Sequence, residues 1–412
     1  MRNSNRHTPR VIGYGFTQMI PLSEARQIIA QKVRPLAPVT LPLAELHGRV
    51  LREAVAARED FPAFDRSAMD GYAIAEDDSA RFKIIGEAQP GEMPAVVVGK
   101  GECVRIFTGA PIPPGASQVI MQEDVERDGE WMKPTRRSSE SHVRYRGEDA
   151  REGDVLLEAD TRVGSGEAAL LAQLGAVRAL VSPQPRVLHF ATGNELVSPA
   201  EQPAPGQIRD SNSTLIAALL AESGVRLVMQ HRCGDNLQML ADKIRSAPED
   251  SWDLLLLSGG ASVGDYDFGR RALADLGFEI HFPQIDLRPG KPLIFATRGR
   301  QAAFVIPGNP VSHFVVFHVA IRAALQCLEG VEPSWPLVQA ALSAPLPTRS
   351  NPRETYWPAQ LRIREGAWSV HPLTWQSSGD LRGLVGANAL IQIRGGASPG
   401  SDLMPCLVLS EF

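Results

Sequence analysis

Three apolar runs in the middle of this 412-residue chain are each followed within a few residues by acids. VLHFAT (187–192) ends on Thr192 and passes through Gly193 to Glu195. RLVMQHR (226–232) passes through Cys233 and Gly234 to Asp235, and DLLLLS (253–258) opens SGGASVGDYD, which carries Asp265 and Asp267. Where such strands lie parallel in one open sheet, the loops after them share one edge, and that edge is where ligands bind. Carboxylates gathered there repel one another unless a cation sits among them. Hard oxygens favour Mg²⁺ over softer metals, so Glu195, Asp235 and Asp267 are the candidate metal ligands. Taken singly, each acid also suits a helix cap; the recurrence after three strands favours a site.

Donors for an anion fall beside these acids. In SGGASVGDYD (258–267) Gly259, Gly260 and Gly264 would let backbone N–H groups approach a phosphate, and Ser258 and Ser262 would add hydroxyls, although a plain tight turn has the same composition. PGNPVS (307–312) puts Asn309 at an N-cap and Pro310 at the first helical position, which aims a second helix start at the same edge. Arg288 and Lys291, in LRPGKP, follow another apolar segment toward that rim. There is no HExxH, and His313 and His318 stand five apart, which argues against a histidine zinc site. Further upstream, PAFDRSAMDGYA (62–73) holds Asp65 and Asp70, and VRYRGEDA (143–150) interleaves Arg144 and Arg146 with Glu148 and Asp149, a pattern that a surface ion network would also produce. The residues by themselves point to a phosphorylated ligand with Mg²⁺ and to no particular reaction.

The elements around these loops define the fold class, an α/β and β multidomain chain. Residues 1–56 and 143–182 read as a discontinuous helical domain, with Gly175 ending a helix. Residues 57–142 read as an inserted β-rich domain of short apolar runs between Gly and Pro clusters. From 183 to 331 strand and helix alternate, which predicts a parallel-rich sheet covered on both faces. Residues 332–412 carry only short strands and turns and read as a small β-barrel-like domain. Lys and Arg total 42 against 47 Asp and Glu, a formal charge of −5, so neither a nucleic-acid groove nor an anionic membrane surface is expected as partner. The polar amino terminus lacks an apolar export core, and the apolar stretch 311–325 is broken by His313, His318 and Arg322, so no bilayer span is expected. Four cysteines without a CxxC pair suit a reducing, cytoplasmic setting.

Taken in order, FDRSAMDGYA, RIFTGAPIPPGASQVIMQEDV, VRYRGEDAREGDVLL, ATGNEL, IRDSNS, SGGASVGDYD, RPGKPLIF and PGNPVS resemble the molybdopterin molybdenumtransferase family, MoeA and the gephyrin E domain. SSGDLRGLVGANAL (377–390) extends the resemblance more weakly into the carboxy-terminal domain. The resemblance implies an elongated homodimer of four-domain subunits whose 183–331 domain binds molybdopterin. It implies a transferase of molybdenum cofactor biosynthesis: molybdenum from molybdate enters adenylylated molybdopterin, Mg²⁺ assists, and AMP leaves. A non-catalytic cofactor carrier on the same fold is the alternative. Glu195, Asp235 and Asp267 match family active-site positions, and Asp65, with Thr108, Arg144 and Asp149, would join them. Thr192, Gly193, Ser258, Gly259, Gly260, Ser262, Gly264, Arg288 and Lys291 would hold the pterin phosphate or nucleotide, together with Pro307, Gly308, Asn309, Pro310 and Ser312. Implied partners are a molybdopterin adenylyltransferase and recipient molybdoenzymes or their chaperones. Asn194 stands where the family usually has Asp, Gln284 where it has Lys, Ser117 where Asp is common and Arg66 where Asn is common.

Overall fold

A computed structural model describes residues 19–260, 268–348, 350–397 and 403–409. The chain divides into two compact units, one of residues 40–47 and 51–180, the other of 1–39, 48–50 and 181–412. The segment expected as an insertion, 57–142, lies within the smaller unit, which also takes 143–180; helix Leu22–Lys32 belongs to the larger one.

The smaller unit is built on a six-stranded mixed sheet that runs, edge to edge, from Gln118–Met121 through Gly71–Ile74, Glu102–Ile106, Phe82–Ala88 and Trp131–Pro134 to Val125–Asp128. Alternation along Gly71–Ile74 sends Ala73 to one core with Val104 and Val119, and Tyr72 and Ile74 to another with Cys103 and Ile120. Helix Ser165–Gln173 ends as its sequence predicts: Gly175 sits at φ +66°, the Ala176 N–H donates to Leu171 O, and the Gly175 N–H donates to Ala172 O.

In the larger unit the α/β domain comprises β1 (Arg186–Thr192), α1 (Asn212–Glu222), β2 (Arg226–Cys233), α2 (Leu237–Ser246), β3 (Leu254–Ser258), α3 (Phe268–Asp275), β4 (Glu279–Phe282), β5 (Ile294–Arg298), β6 (Gln301–Ile306) and α4 (Pro310–Val316). The sheet order is β2-β1-β3-β6-β5-β4. β2, β1, β3 and β6 are parallel, as alternation predicts, whereas β5 runs antiparallel to both β6 and β4. The reversal has a local cause. β5 and β6 form a hairpin in which Arg298 pairs with Gln301 across Gly299–Arg300, with Gly299 at φ +58°, and a two-residue turn of that kind can join only antiparallel strands.

Both faces of this sheet are covered, which is why its strands are near-continuously apolar. Leu254 and Leu256 face the core shared with α1, α4 and helix Leu22–Lys32, while Leu255 and Leu257 face the core shared with α2 and α3. α4 continues through a π-helical turn, Phe317–Ile321, into Arg322–Leu328. The whole helix, Pro310–Glu329, is long and apolar enough to cross a bilayer, but 89 % of its apolar window is buried inside the unit. It is therefore a core helix, apolar all round because protein surrounds it.

The carboxy-terminal region closes into a five-stranded barrel. β7 (Leu337–Leu342), β8 (Glu354–Arg364), β9 (Ala367–Pro372), β10 (Ala389–Ile393) and β11 (Leu403–Val408) pair in the cyclic order β8-β9-β7-β11-β10-β8. Closure removes the free edges that short exposed strands would otherwise present. Trp357, Ala359 and Leu361 on alternate positions of β8 fill its interior with Val370, Ile391 and Cys406.

Candidate functional site

The parallel register brings the carboxyl ends of four strands into one row: Thr192 pairs with Cys233, Ala191 with Ser258, and Ser258 with Ile306. The loops after those strands line a single cleft of about 1010 Å³. Glu195 and Asp235 both line it, as do Thr192 and Gly193, Gly259 and Gly260, and Pro307 through Pro310. β1 sits between β2 and β3; α1, which follows β1, packs on one face of the sheet and α3, which follows β3, on the other, and the cleft lies at that switch point.

Asn194 connects two of the acid-bearing loops. Its Oδ1 accepts the Asp235 N–H at 3.1 Å and lies 2.7 Å from where a Cβ on Gly234 would stand. That is an acceptor's role, which an amide oxygen fills as a carboxylate oxygen would, so the Asn-for-Asp departure keeps this contact. Gln284, the other notable departure, lies outside the cleft lining beside Ile20, whose N–H donates to its carbonyl at 3.4 Å.

Several expected phosphate donors face inward instead. The Gly259 N–H donates to Ile306 O at 2.9 Å and the Gly193 N–H to Cys233 O at 3.1 Å. Gly259 is glycine for steric reasons: φ is +93°, and a Cβ would lie 2.6 Å from Thr192 O. Thr192 Oγ1 donates to Ser258 O at 3.2 Å. Asn309 is the N-cap of α4 and Pro310 its first residue, as expected, but Asn309 makes no side-chain cap. Its Nδ2 donates to Ser378 Oγ at 2.8 Å, and the Val311 N–H donates to Ser378 O at 3.0 Å. With no N–H on Pro310 and that of Val311 committed, this helix start is not the open anion cradle that its sequence suggests. Ser312 is buried within α4. Arg288 lies apart, lining a separate cavity of about 690 Å³ and donating to Thr348 Oγ1 at 3.2 Å. Lys291 is outside the cleft lining as well. Asp265, Asp267, Ser262 and Gly264 fall outside the described residues, and among the described residues no group of three His, Cys, Asp or Glu side chains assembles as a metal cage.

The cleft has contributors that the spacing arguments missed. Arg271, exposed on α3, and Arg209, which also donates to Pro199 O, bring positive charge. Asp210, nearly fully buried, accepts from Ser213 N at 3.0 Å and Ser213 Oγ at 2.5 Å at the start of α1. Gly379 and Leu381 enter from the segment between β9 and β10, where the Asp380 carboxylate is held down to about 2 by the Arg382 guanidinium beside it. Leu196, Ile208, Leu237 and Phe268 make part of the wall apolar. The IRDSNS and SSGDLRG strings were the available signals for these residues; nothing in the spacing marked Arg271.

Under the cleft lies a buried polar chain. Ser258 Oγ is 2.7 Å from His189 Nε2 and 2.8 Å from His313 Nε2; Gln230 Nε2 is 2.9 Å from His189 Nδ1; His313 Nδ1 is 3.2 Å from Asn309 O. Burial pushes both imidazoles toward the neutral form, His189 to about 3 with help from neighbouring His313, and His313 to about 4 against the opposing Asn309 carbonyl and Asp210.

In the smaller unit the two polar strings meet each other. Arg66 and Ser67 pair with Arg144 and Val143, Asp65 Oδ1 accepts the Arg146 N–H at 2.7 Å, and the Ile112 N–H donates to Asp65 O. Thr108 donates both N–H and Oγ1 to Asp70 Oδ1 at 2.7 Å each, which holds the Asp70 carboxyl below its usual range. Arg144 pairs with Asp149 and, at 3.2 Å, with Glu148. Asp65, Thr108, Arg144 and Asp149 thus share one network of loops.

Three family models match the chain: MoeA N-terminal region (domain I and II) over residues 20–175, probable molybdopterin binding domain over 189–326, and MoeA C-terminal region (domain IV) over 340–401. A molybdopterin molybdenumtransferase of Nostoc sp. is 32 % identical over 97 % of this chain and 96 % of that protein. One from Staphylococcus epidermidis is 29 % identical over 92 % of each. Among solved structures, a molybdopterin biosynthesis MoeA protein from Pyrococcus horikosii superposes with a TM-score of 0.79 at 27 % identity, covering 96 % of this chain and all of that one. Together with the cleft at the switch point of its α/β domain, these likenesses establish that the chain belongs to the molybdopterin molybdenumtransferase (MoeA) family.

Proposed function

We propose that this chain is a molybdopterin molybdenumtransferase that transfers molybdenum from molybdate to adenylylated molybdopterin with release of AMP, assisted by Mg²⁺. The observation that carries the proposal is the placement of Glu195 and Asp235 on adjacent loops of one cleft. The donor set fits the metal: Mg²⁺ is bound by one or two carboxylates together with water and phosphate oxygens, and the two hard carboxylates lining this cleft meet that description. Bound there, Mg²⁺ would neutralise charge on the substrate's phosphate oxygens.

The chain's own groups have separable tasks. Glu195 and Asp235 hold the cation, and Asn194 fixes the Asp235 loop through its backbone N–H. Arg271 attracts the anionic substrate and pairs with a phosphate oxygen. Leu196, Ile208, Leu237 and Phe268 offer apolar area to the flat pterin or the adenine. Since the Gly193 and Gly259 amides are internally committed, electrostatic stabilisation falls to the cation and the arginines rather than to a backbone nest. Asp65, Thr108, Arg144 and Asp149 are assigned to substrate contact, and a cytoplasmic homodimer that takes substrate from an adenylyltransferase and supplies molybdoenzymes belongs to the same proposal.

The test is to incubate purified protein with adenylylated molybdopterin and molybdate, with and without Mg²⁺, and to quantify AMP. Release that needs both additions, and that is lost in Asp235→Asn while the fold persists, is the expected result. Tight pterin binding without AMP release would refute the transferase in favour of a carrier.

A further inference from the structure

The cleft floor contains a polar device that metal and phosphate binding leave unexplained. β1, β3 and α4 each contribute one buried polar side chain, His189, Ser258 and His313, with relative exposures of 0 %, 2 % and 0 %, beside a core of apolar residues. The partners at the two ends give the chain a direction. Gln230 Nε2 donates to Ser213 O and faces His189 Nδ1, so that nitrogen accepts and Nε2 carries the proton. At the other end His313 Nδ1 faces the Asn309 carbonyl, so Nδ1 carries the proton and Nε2 accepts. Ser258 therefore receives from His189 and donates to His313. Its single hydroxyl proton is committed inward and is not available to a phosphate, contrary to the expectation that Ser258 adds a donor to the cleft.

The middle of this chain and one of its ends reach the cleft: Ser258 and Asn309 both line it. Ser258 immediately precedes Gly259 and Gly260, and Asn309 O also accepts the His313 N–H at 3.1 Å. We propose that Ser258 and His313 are positioning residues, which with His189 lock the end of β3 against the start of α4 and so hold the cleft floor in its reactive geometry. A fully satisfied buried network rigidifies its surroundings, and displacement of a substrate-positioning surface by about 1 Å can cost about a hundredfold in rate. The proposal rests on the molybdenum-transfer reading for its rate consequence and on geometry alone for the rigidity.

The test compares Ser258→Ala, Ser258→Thr and the apolar triple variant His189→Leu/Ser258→Ala/His313→Leu with the wild-type chain. Four quantities are read: kcat and KM for AMP release, melting temperature, and hydrogen exchange at the Gly259 amide. Ser258→Ala should lower kcat by about tenfold to a hundredfold with KM changed less than about threefold, and Ser258→Thr, which keeps donor and acceptor, should restore kcat to within about threefold. The triple variant removes the three linked side chains at once, leaving Gln230 Nε2 its bond to Ser213 O and the Asn309 carbonyl its bond from the backbone N–H of residue 313. It should regain melting temperature without regaining kcat, a separation that a purely structural role would not give. Should Ser258→Ala not fold, the triple variant decides: wild-type kcat in a folded triple variant overturns the proposal. Should the wild-type chain release no AMP, the transfer reading fails on its own. Exchange then judges the rigidity, with at least tenfold faster Gly259 exchange in Ser258→Ala supporting the lock and unchanged exchange overturning it.

Discussion

Acid should loosen the larger unit through His189 and His313, and the structure sets the size of the effect. Both imidazoles are buried and neutral, with folded pKa values pushed to about 3 and about 4, whereas an unfolded histidine titrates near 6.5. Below pH 6.5 the unfolded chain thus binds more protons than the folded one. Stability is fully present above that value and is lost as pH falls toward 4 and then 3. At pH 5 the unfolded imidazoles lie about 1.5 pH units below their midpoint, worth about 2 kcal/mol each and about 4 kcal/mol for the pair. That is a large share of the roughly 5–15 kcal/mol by which domains are stable. His313 faces His189 through Ser258, Asp210 from the start of α1 and the Asn309 carbonyl; the latter two already act within its value of about 4. The assay is urea unfolding at pH 8, 7, 6 and 5, a window in which ordinary carboxylates stay ionised. The wild-type chain should lose stability across it, and the His189→Leu/Ser258→Ala/His313→Leu variant should lose about 4 kcal/mol less. Identical pH slopes for the two proteins would refute the neutral buried pair.

Three further outcomes follow from contacts in the cleft. Gly259→Ala should lower the melting temperature and weaken pterin binding, since the added Cβ would meet Thr192 O at 2.6 Å in a backbone at φ +93°; an unchanged melting curve would contradict the close approach. Asn194→Asp should keep AMP release within about threefold of wild type while Asn194→Ala lowers it about tenfold, because only the alanine loses the acceptor for the Asp235 N–H; equal activities would show that this hydrogen bond does not hold the loop. Arg271→Ala should raise the substrate Kd about tenfold, the equivalent of one charge-assisted hydrogen bond, with the effect shrinking as salt increases; calorimetry that shows no change would remove Arg271 from the phosphate contact.

Much of the architecture is local and therefore readable in the sequence. Apolar runs alternating with amphipathic segments define β1-α1-β2-α2-β3-α3, and parallel strands of similar length necessarily deliver the loops carrying Glu195 and Asp235 to one edge. Gly175 and Pro310 mark helix boundaries by their own backbone preferences, so they too are legible. What the tertiary structure decided is which partner each polar group takes. Gly193, Gly259 and the helix start at Pro310 read in the sequence as groups that hold a phosphate, yet neighbouring carbonyls take the N–H groups of Gly193, Gly259 and Val311. Arg288 turns to Thr348, and Ser258 turns to two histidines brought from 69 and 55 residues away. The antiparallel β5 hinges on the two-residue turn Gly299–Arg300, whereas strand alternating with helix predicts only parallel neighbours. Periodicity records which face of an element is buried, but a hydrogen bond depends on distance and direction between atoms remote in sequence, and those exist only once the chain has packed.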